Sequence, residues 1–314
     1  MAAQVFIDGQ VGTTGLEIAE RLHNRADIEL LTIAEADRKD PEARACLLQN
    51  ADVAILCLPD SAAREAKQLA AGKTRLLDAS TAHRTAPDWT YGLPELSESQ
   101  PHAIENAELV SNPGCYPQGF ILTTRPLIAA GLIPKELRLS LHALSGYSGG
   151  GRSLIDQYRA LTDEQREALA TRPYALGLDH KHVPEMRHYS CTTQAPLFTP
   201  SVGTFYKGML TQIPVFLADL APGTTLESLH TALAEAYRTT RFVNVLPLGA
   251  EGVLEAGYLN PTDCNDTNDL EIMVFGNDMQ AVLIARYDNL GKGAAGSAVQ
   301  NLNLMLGLDE STGL

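Results

Sequence analysis

Apolar and polar positions follow two different rhythms along this chain, and the change falls near residue 115. In the first part, short β-rich runs alternate with stretches of helical period. Residues 4–7 read as a strand and 16–23 as an amphipathic helix. Residues 29–34 and 53–58 read as further strands, and 61–71 as a helix after the Pro59-Asp60 break. Residues 75–77 and 108–111 add two short strands. Strand and helix in alternation at this spacing predict a parallel, doubly wound sheet.

Beyond residue 115 the β-rich stretches lengthen, to 137–144, 203–213 and 271–287. Helical segments near 115–130, 152–170 and 224–238 separate them, which predicts a mixed α+β second domain. Residues 291–306 read as a final helix. Its Ala294, Ala298 and Leu302 fall four apart on one face, small at the start, which suits close packing back onto the first domain. The chain shows no internal repeat and no low-complexity linker.

The length of 314 residues suits two ordinary domains, and 45% apolar residues suffice for a sizeable core. No apolar run is long enough to cross a bilayer. The start, Met-Ala-Ala-Gln-Val-Phe-Ile-Asp-Gly, has no basic n-region or long h-region, so the expected location is the cytoplasm. Cys46, Cys57, Cys115, Cys191 and Cys264 are odd in number and widely spaced, which fits reduced thiols. The formal net charge of −14 argues against a nucleic-acid partner. A chain this acidic that handles an anionic small molecule must gather its cations locally.

Two runs carry chemistry. Asp8-Gly9-Gln10-Val11-Gly12-Thr13-Thr14-Gly15 links the first strand to the first helix. Gly9, Gly12 and Gly15 suit a tight turn and the close approach of a pyrophosphate, with Thr13 and Thr14 in the first helical turn. The spacing is a variant of the dinucleotide fingerprint, and a purely structural glycine turn is the alternative. After the second strand, Ala36-Asp37-Arg38-Lys39 sets two cations where the 2′-phosphate of NADP would lie, unless it is a solvated charged turn. The second run is Ser111-Asn112-Pro113-Gly114-Cys115-Tyr116-Pro117. Asn-Pro-Gly signals a turn and Pro117 suits a first helical turn, so Cys115 is expected at a helix N-terminus, where amide groups favour a thiolate nucleophile.

With these residues in view the chain resembles the N-acetyl-γ-glutamyl-phosphate reductases, in particular their shorter type. The resemblance runs nearly end to end. Besides the two runs it includes Asp78-Ala79-Ser80-Thr81-Ala82-His83-Arg84, Tyr91-Gly92-Leu93-Pro94-Glu95-Leu96, Ser145-Gly146-Tyr147-Ser148-Gly149-Gly150-Gly151-Arg152, His180-Lys181-His182-Val183-Pro184-Glu185 and Asp288-Asn289-Leu290-Gly291-Lys292-Gly293-Ala294-Ala295-Gly296. The cysteine run together with the histidine run is the specific part. Gly149-Gly150-Gly151 departs from the family, where many members carry an alanine, and this should loosen the loop.

The resemblance implies a Rossmann-type doubly wound parallel sheet plus an α+β catalytic domain, the fold of the semialdehyde dehydrogenases. The implied division is residues 1–114 for NADP, completed by a C-terminal helix over 290–314, with 115–289 for catalysis and dimerisation. It implies an enzyme of arginine biosynthesis that reduces N-acetyl-L-glutamyl 5-phosphate with NADPH, releasing the 5-semialdehyde and phosphate. Cys115 is then the nucleophile, forming a thioester. His180 and His182 are candidates for the proton relay; in an extended stretch, residues two apart share a face. Arg84, Arg152, Lys181 and Lys207 are candidates for the substrate's anionic groups, with Asn112 beside the nucleophile. Ser145, Gly146, Asn289 and Lys292 are expected near the cofactor, and Glu185 positions a histidine or forms a salt bridge. A metal site at His180-Lys181-His182, with His188, is the rival reading, but the central lysine disfavours it and thioester chemistry needs no metal. A homo-oligomer is expected by analogy, with no membrane partner. Aspartyl phosphate reduction, a catalytically silent nucleotide sensor and a cysteine hydrolase are the competing functions.

Overall fold

A computed structural model describes residues 2–314. The chain divides into two compact units, residues 1–114 with 294–314 and residues 115–293. The first holds six parallel strands: β1 (Ala3–Asp8), β2 (Ile28–Leu31), β3 (Val53–Leu56), β4 (Arg75–Asp78), β5 (Thr90–Tyr91) and β6 (Leu109–Ser111), in the order β2-β1-β3-β4-β6-β5. Both faces are covered, as a parallel sheet requires. On one face Val5, Ile7, Val53, Ile55 and Leu77 pack against α1 (Thr13–Leu22) and α10 (Gly296–Met305) through Ile18, Ala298, Val299 and Leu302. Their neighbours Phe6, Ala54, Leu56 and Leu76 point to the other face, onto Leu48 of α2 (Pro41–Asn50) and Ala66 of α3 (Asp60–Ala70). The short α4 (Gln100–Glu105) precedes β6.

The second unit is built on a mixed seven-stranded sheet. Its strands are β7 (Ser140–Ser145), β8 (Arg172–Pro173), β9 (Leu197–Val202), β10 (Met209–Phe216), β11 (Val243–Val245), β12 (Leu270–Gly276) and β13 (Gln280–Tyr287), ordered β11-β12-β13-β10-β7-β9-β8. Its helices are α5 (Cys115–Ala129), α6 (Gly151–Arg159), α7 (Asp163–Leu169), α8 (Val183–Ser190) and α9 (Leu226–Ala236). Helix α5 is buried nearly all round over its first ten residues, as expected of a helix apolar on every face.

The structure refines several expected elements. The long stretch 271–287 is the hairpin β12–β13, closed by Asn277, whose side chain accepts from the Met279 and Gln280 amides. The helix expected over 152–170 is two, because Thr162 starts α7 afresh with a capping box. Strand β9 escaped notice because Pro200 sits inside it. Residues 291–295 form a π-helical turn, and the α-helix begins only at Gly296. Among the described residues no helix is long and apolar enough to cross a membrane.

Gly119 sets how closely α5 approaches the sheet. A Cβ there would lie 2.3 Å from Thr211 Oγ1 and 2.9 Å from the Tyr287 hydroxyl. Alanine normally stabilises a helix interior relative to glycine, by about 1 kcal/mol. Here overpacking should win, and Gly119→Ala is expected to lower stability by about 1–3 kcal/mol, read as a reduced denaturant midpoint.

Candidate active site

In the first unit, β1 ends at Asp8 and the chain turns at Gly9 with φ +88°. A Cβ on Gly9 would lie 2.3 Å from the Cys57 carbonyl oxygen, and one on Gly15 would lie 2.8 Å from Cα of Gln10. Only glycine fits either place. Gly12 is the N-cap of α1 and gives no side-chain cap, so the first amides of α1, including those of Thr13 and Thr14, are left for an external acceptor. This cradle fits a dinucleotide pyrophosphate. Beneath the turn, the Asp8 carboxylate receives the Arg44 guanidinium at 2.9 Å, and Glu65 holds the same arginine at 2.9 Å. Burial alone would lower the Arg44 pKa, but the two carboxylates outweigh it and hold the cation above its ordinary value. Arg38 and Lys39 are exposed just past the short turn Glu35–Asp37, with Arg38 3.7 Å from Glu35.

Two residues expected to meet substrate are instead engaged with the main chain of this unit. Arg84 is buried, and its guanidinium donates to the carbonyls of Asn112 at 3.0 Å and Ala79 at 3.2 Å. Asn112 is buried as well. Its amide donates to Asp78 O, its side-chain oxygen accepts from Asn301, and its side-chain nitrogen donates to Ala294 O. The pair fixes the chain just before Pro113. His83, from the same run as Arg84, is likewise buried, stacked on Trp89 at 4.2 Å with Nδ1 2.7 Å from Asp78.

The second unit places Cys115 as the first residue of α5, half-buried. The Tyr287 hydroxyl donates to the Cys115 carbonyl at 2.7 Å and accepts from the Gly119 amide at 3.3 Å. Gln118 donates to the Lys292 carbonyl at 2.7 Å, tying the same helical turn to the segment before Gly293. Next to the cysteine, Tyr116 is buried in a cluster of rings: His180 at 5.8 Å, His182 at 5.9 Å and Phe198 at 5.0 Å. The Tyr174 hydroxyl donates to that of Tyr116 at 2.9 Å. Burial pushes the phenols of Tyr116, Tyr174 and Tyr287 well up, and negative charge on Cys115 adds to the shift in all three.

His180 and His182 are not on an extended stretch, contrary to expectation. His180 lies in a turn and His182 is the N-cap of α8, which Pro184 starts. Their rings still meet, with centroids 4.7 Å apart. The contact comes from the turn, in which the His182 amide donates to His180 Nδ1 at 3.1 Å. Glu185 sits buried in the first turn of α8, three residues beyond His182. Among the described residues no three His, Cys, Asp or Glu side chains are grouped to hold a metal ion.

The remaining expected contacts are dispersed. Lys207 pairs with Asp266 and, at 3.6 Å, with Asp288. Asn289 accepts from the Gly208 amide and donates to Ser148 Oγ, both within 2.9 Å, and so braces the loop that carries Ser145 and Gly146. The Ser145 hydroxyl donates to the Gly146 carbonyl, and a Cβ on Gly146 would strike the Tyr206 carbonyl at 2.4 Å. Lys292 is fully buried, its ammonium 5.8 Å from the Phe242 ring centre. Arg152 is exposed, 3.8 Å from Asp156.

A cavity of about 570 Å³ opens beside Tyr116 and His180, with Gly146, Gly150, Arg172 and Lys181 also on its wall. A second cavity of about 600 Å³, between Leu139 and Phe216, holds none of the expected chemistry. Arg172, Tyr174 and Tyr287 were not anticipated. Arg172-Pro173-Tyr174 had no motif to single it out, and Tyr287 read only as the end of a strand.

Comparison with known proteins agrees with this geometry. Residues 4–107 match the semialdehyde dehydrogenase NAD binding domain, and residues 115–289 match the semialdehyde dehydrogenase dimerisation domain. A protein of Nostoc sp. named N-acetyl-gamma-glutamyl-phosphate reductase 2 is 51% identical, over 99% of this chain and 99% of its own. One of Sinorhizobium fredii, named N-acetyl-gamma-glutamyl-phosphate reductase, is 48% identical over 98% and 99%. Among solved structures, aspartate semialdehyde dehydrogenase from Francisella tularensis superposes with a TM-score of 0.73 at 16% identity, over 98% of this chain and 100% of the other. That of Candida albicans, solved with NADP, gives 0.68 at 13%, over 98% and 99%. These structures share the fold, while the curated relatives match in sequence almost end to end. The chain belongs to the N-acetyl-γ-glutamyl-phosphate reductase family, carried on the two semialdehyde dehydrogenase domains.

Proposed function

We propose that this protein reduces N-acetyl-L-glutamyl 5-phosphate to the 5-semialdehyde with NADPH, through a thioester on Cys115, as a cytoplasmic step of arginine biosynthesis. The carrying observation is Cys115 at the N-terminus of α5, beside the Tyr116–His180–His182 cluster. The curated relatives support the substrate, and the dimerisation-domain match supports a homo-oligomer.

Sγ of Cys115 attacks the acyl carbon, the bond from that carbon to the bridging phosphate oxygen breaks, and phosphate leaves with the electron pair. The glycine turn at Gly9, Gly12 and Gly15 would hold the pyrophosphate of NADPH, and Arg38 and Lys39 its 2′-phosphate, and the bound cofactor would supply the hydride for reduction of the thioester to a thiohemiacetal. His182 protonates the tetrahedral oxygen and takes the proton back as the C–S bond breaks, returning the electron pair to Sγ. The choice of His182 over His180 follows from the turn. His180 Nδ1 accepts from a backbone amide, so its proton sits on Nε2 and a second proton would break that bond. His180 serves as a neutral donor toward a substrate oxygen. Buried Glu185, in the turn that His182 caps, favours the imidazolium that forms.

The direct test runs the reaction backward, following NADPH absorbance with NADP, phosphate and N-acetylglutamate semialdehyde. Phosphate-dependent turnover is expected, absent with Cys115→Ala and reduced about 10²–10⁴-fold in kcat with His182→Asn. Turnover of aspartate semialdehyde instead would overturn the substrate. Replacing both Arg38 and Lys39 by Ala should raise the KM for NADPH roughly 10-fold or more and leave that for NADH nearly unchanged.

The tyrosines give a pH dependence. Their folded pKa values lie above the ordinary value of about 10, so the stability they contribute is complete below pH 10. It falls as pH rises from there toward the folded values, because the unfolded chain loses those protons first. Alkaline denaturation midpoints should drop steeply above about pH 10, and substituting Tyr174 by Phe should soften that drop.

A further inference from the structure

The wall of the cavity beside Tyr116 differs in charge from the rest of the molecule. The chain carries 38 acidic against 24 basic residues. Yet no aspartate or glutamate lines this cavity, and its charged side chains are Arg172 and Lys181. Neither forms an ion pair with a carboxylate among the described residues. Arg172 is held without one. Its Nη2 donates to the Tyr158 hydroxyl at 2.7 Å, and its guanidinium lies 5.1 Å from that ring's centre. Tyr158 is in turn buried and stacked on Tyr147 at 4.6 Å. An arginine anchored by a rigid aromatic pair keeps its outer donors for a ligand and loses little freedom on binding.

We infer that Arg172 binds the α-carboxylate of the substrate and that this cation-only wall selects an N-acylated substrate over one with an α-ammonium group. The inference rests on the proposed reaction. The planar fork of an arginine matches a carboxylate in two parallel hydrogen bonds. Arg172 shares the cavity wall with Tyr174, whose hydroxyl meets that of Tyr116, the residue after Cys115. Acylation also removes the positive charge of the α-amine. An ammonium would enter a wall with two cations and no carboxylate to receive it, whereas the amide enters neutral.

The test compares N-acetylglutamate with its α-carboxamide, by calorimetric binding to the full-length protein and as inhibitors of the reverse reaction. The wild type should prefer the acid by about 10- to 100-fold. In Arg172→Gln that preference should fall to near one, with the semialdehyde KM raised by the same factor and kcat and the phosphate KM changed less than about twofold. Arg172→Lys, which keeps the charge and loses the fork, should recover part of the preference. An acid preference intact in Arg172→Gln would overturn the anchor, as would a loss shared equally by the phosphate KM. Tighter binding of glutamate than of N-acetylglutamate would overturn the charge selection. Binding needs no turnover, so a wild type that binds the acid through Arg172 yet fails to oxidise the semialdehyde would sink the reaction and leave the anchor standing.

Discussion

The geometry around Cys115 rests on one close approach, that of α5 to the sheet at Gly119. Because residue 119 has no Cβ, the hydroxyl of Tyr287 on β13 reaches the first turn of the helix. There it accepts from the Gly119 amide and donates to the Cys115 carbonyl. A buried phenol that both donates and accepts is satisfied, which matters because an unmade hydrogen bond in such a place costs about 1–3 kcal/mol. The same contact fixes the first turn of α5, which begins at Cys115. From the other side, a Cβ on Gly293 would lie 3.2 Å from that of Cys115, so the returning chain also comes close to the start of α5.

What the sequence disclosed was local. The glycine turn and the Asn-Pro-Gly-Cys-Tyr-Pro run are governed by backbone freedom within a few residues, and such signals are legible without knowing the fold. Strands β1 and β3 were equally legible, since Val5 to Asp8 and Val53 to Leu56 are buried on one of two faces. The histidine pair was misjudged as extended although Pro184 announced a helix start two residues after His182. Strand β9 was hidden by Pro200, whose missing amide argues against a strand unless the tertiary setting overrides it. Arg172 was beyond reach, because its significance comes from Tyr158 fourteen residues earlier and from acidic side chains that are elsewhere.

The fate of the motif cations carries a second lesson. Arg84 and Lys292 are buried among backbone groups and rings, and Lys207 is closed off by Asp266 and Asp288. A cation in a recognisable run can therefore be structural, because a buried guanidinium that receives several carbonyls holds loop geometry that apolar contacts would not specify. Arg286 behaves in the same way, its guanidinium shared by Asp263, Glu271 and the Asn260 carbonyl.

The last helix completes the first sheet's core. Ala298, Val299, Leu302 and Met305 of α10 fill one face of strands made more than two hundred residues earlier, and Arg75 at the start of β4 reaches the Met305 carbonyl. During synthesis the nucleotide-binding half therefore keeps an uncovered apolar face until residues 296–305 have been made. The inserted unit between them is contiguous and has its own sheet, so it can close first. The first sheet closes its core only after the inserted unit has been synthesised, and until then it exposes apolar surface open to chaperone capture.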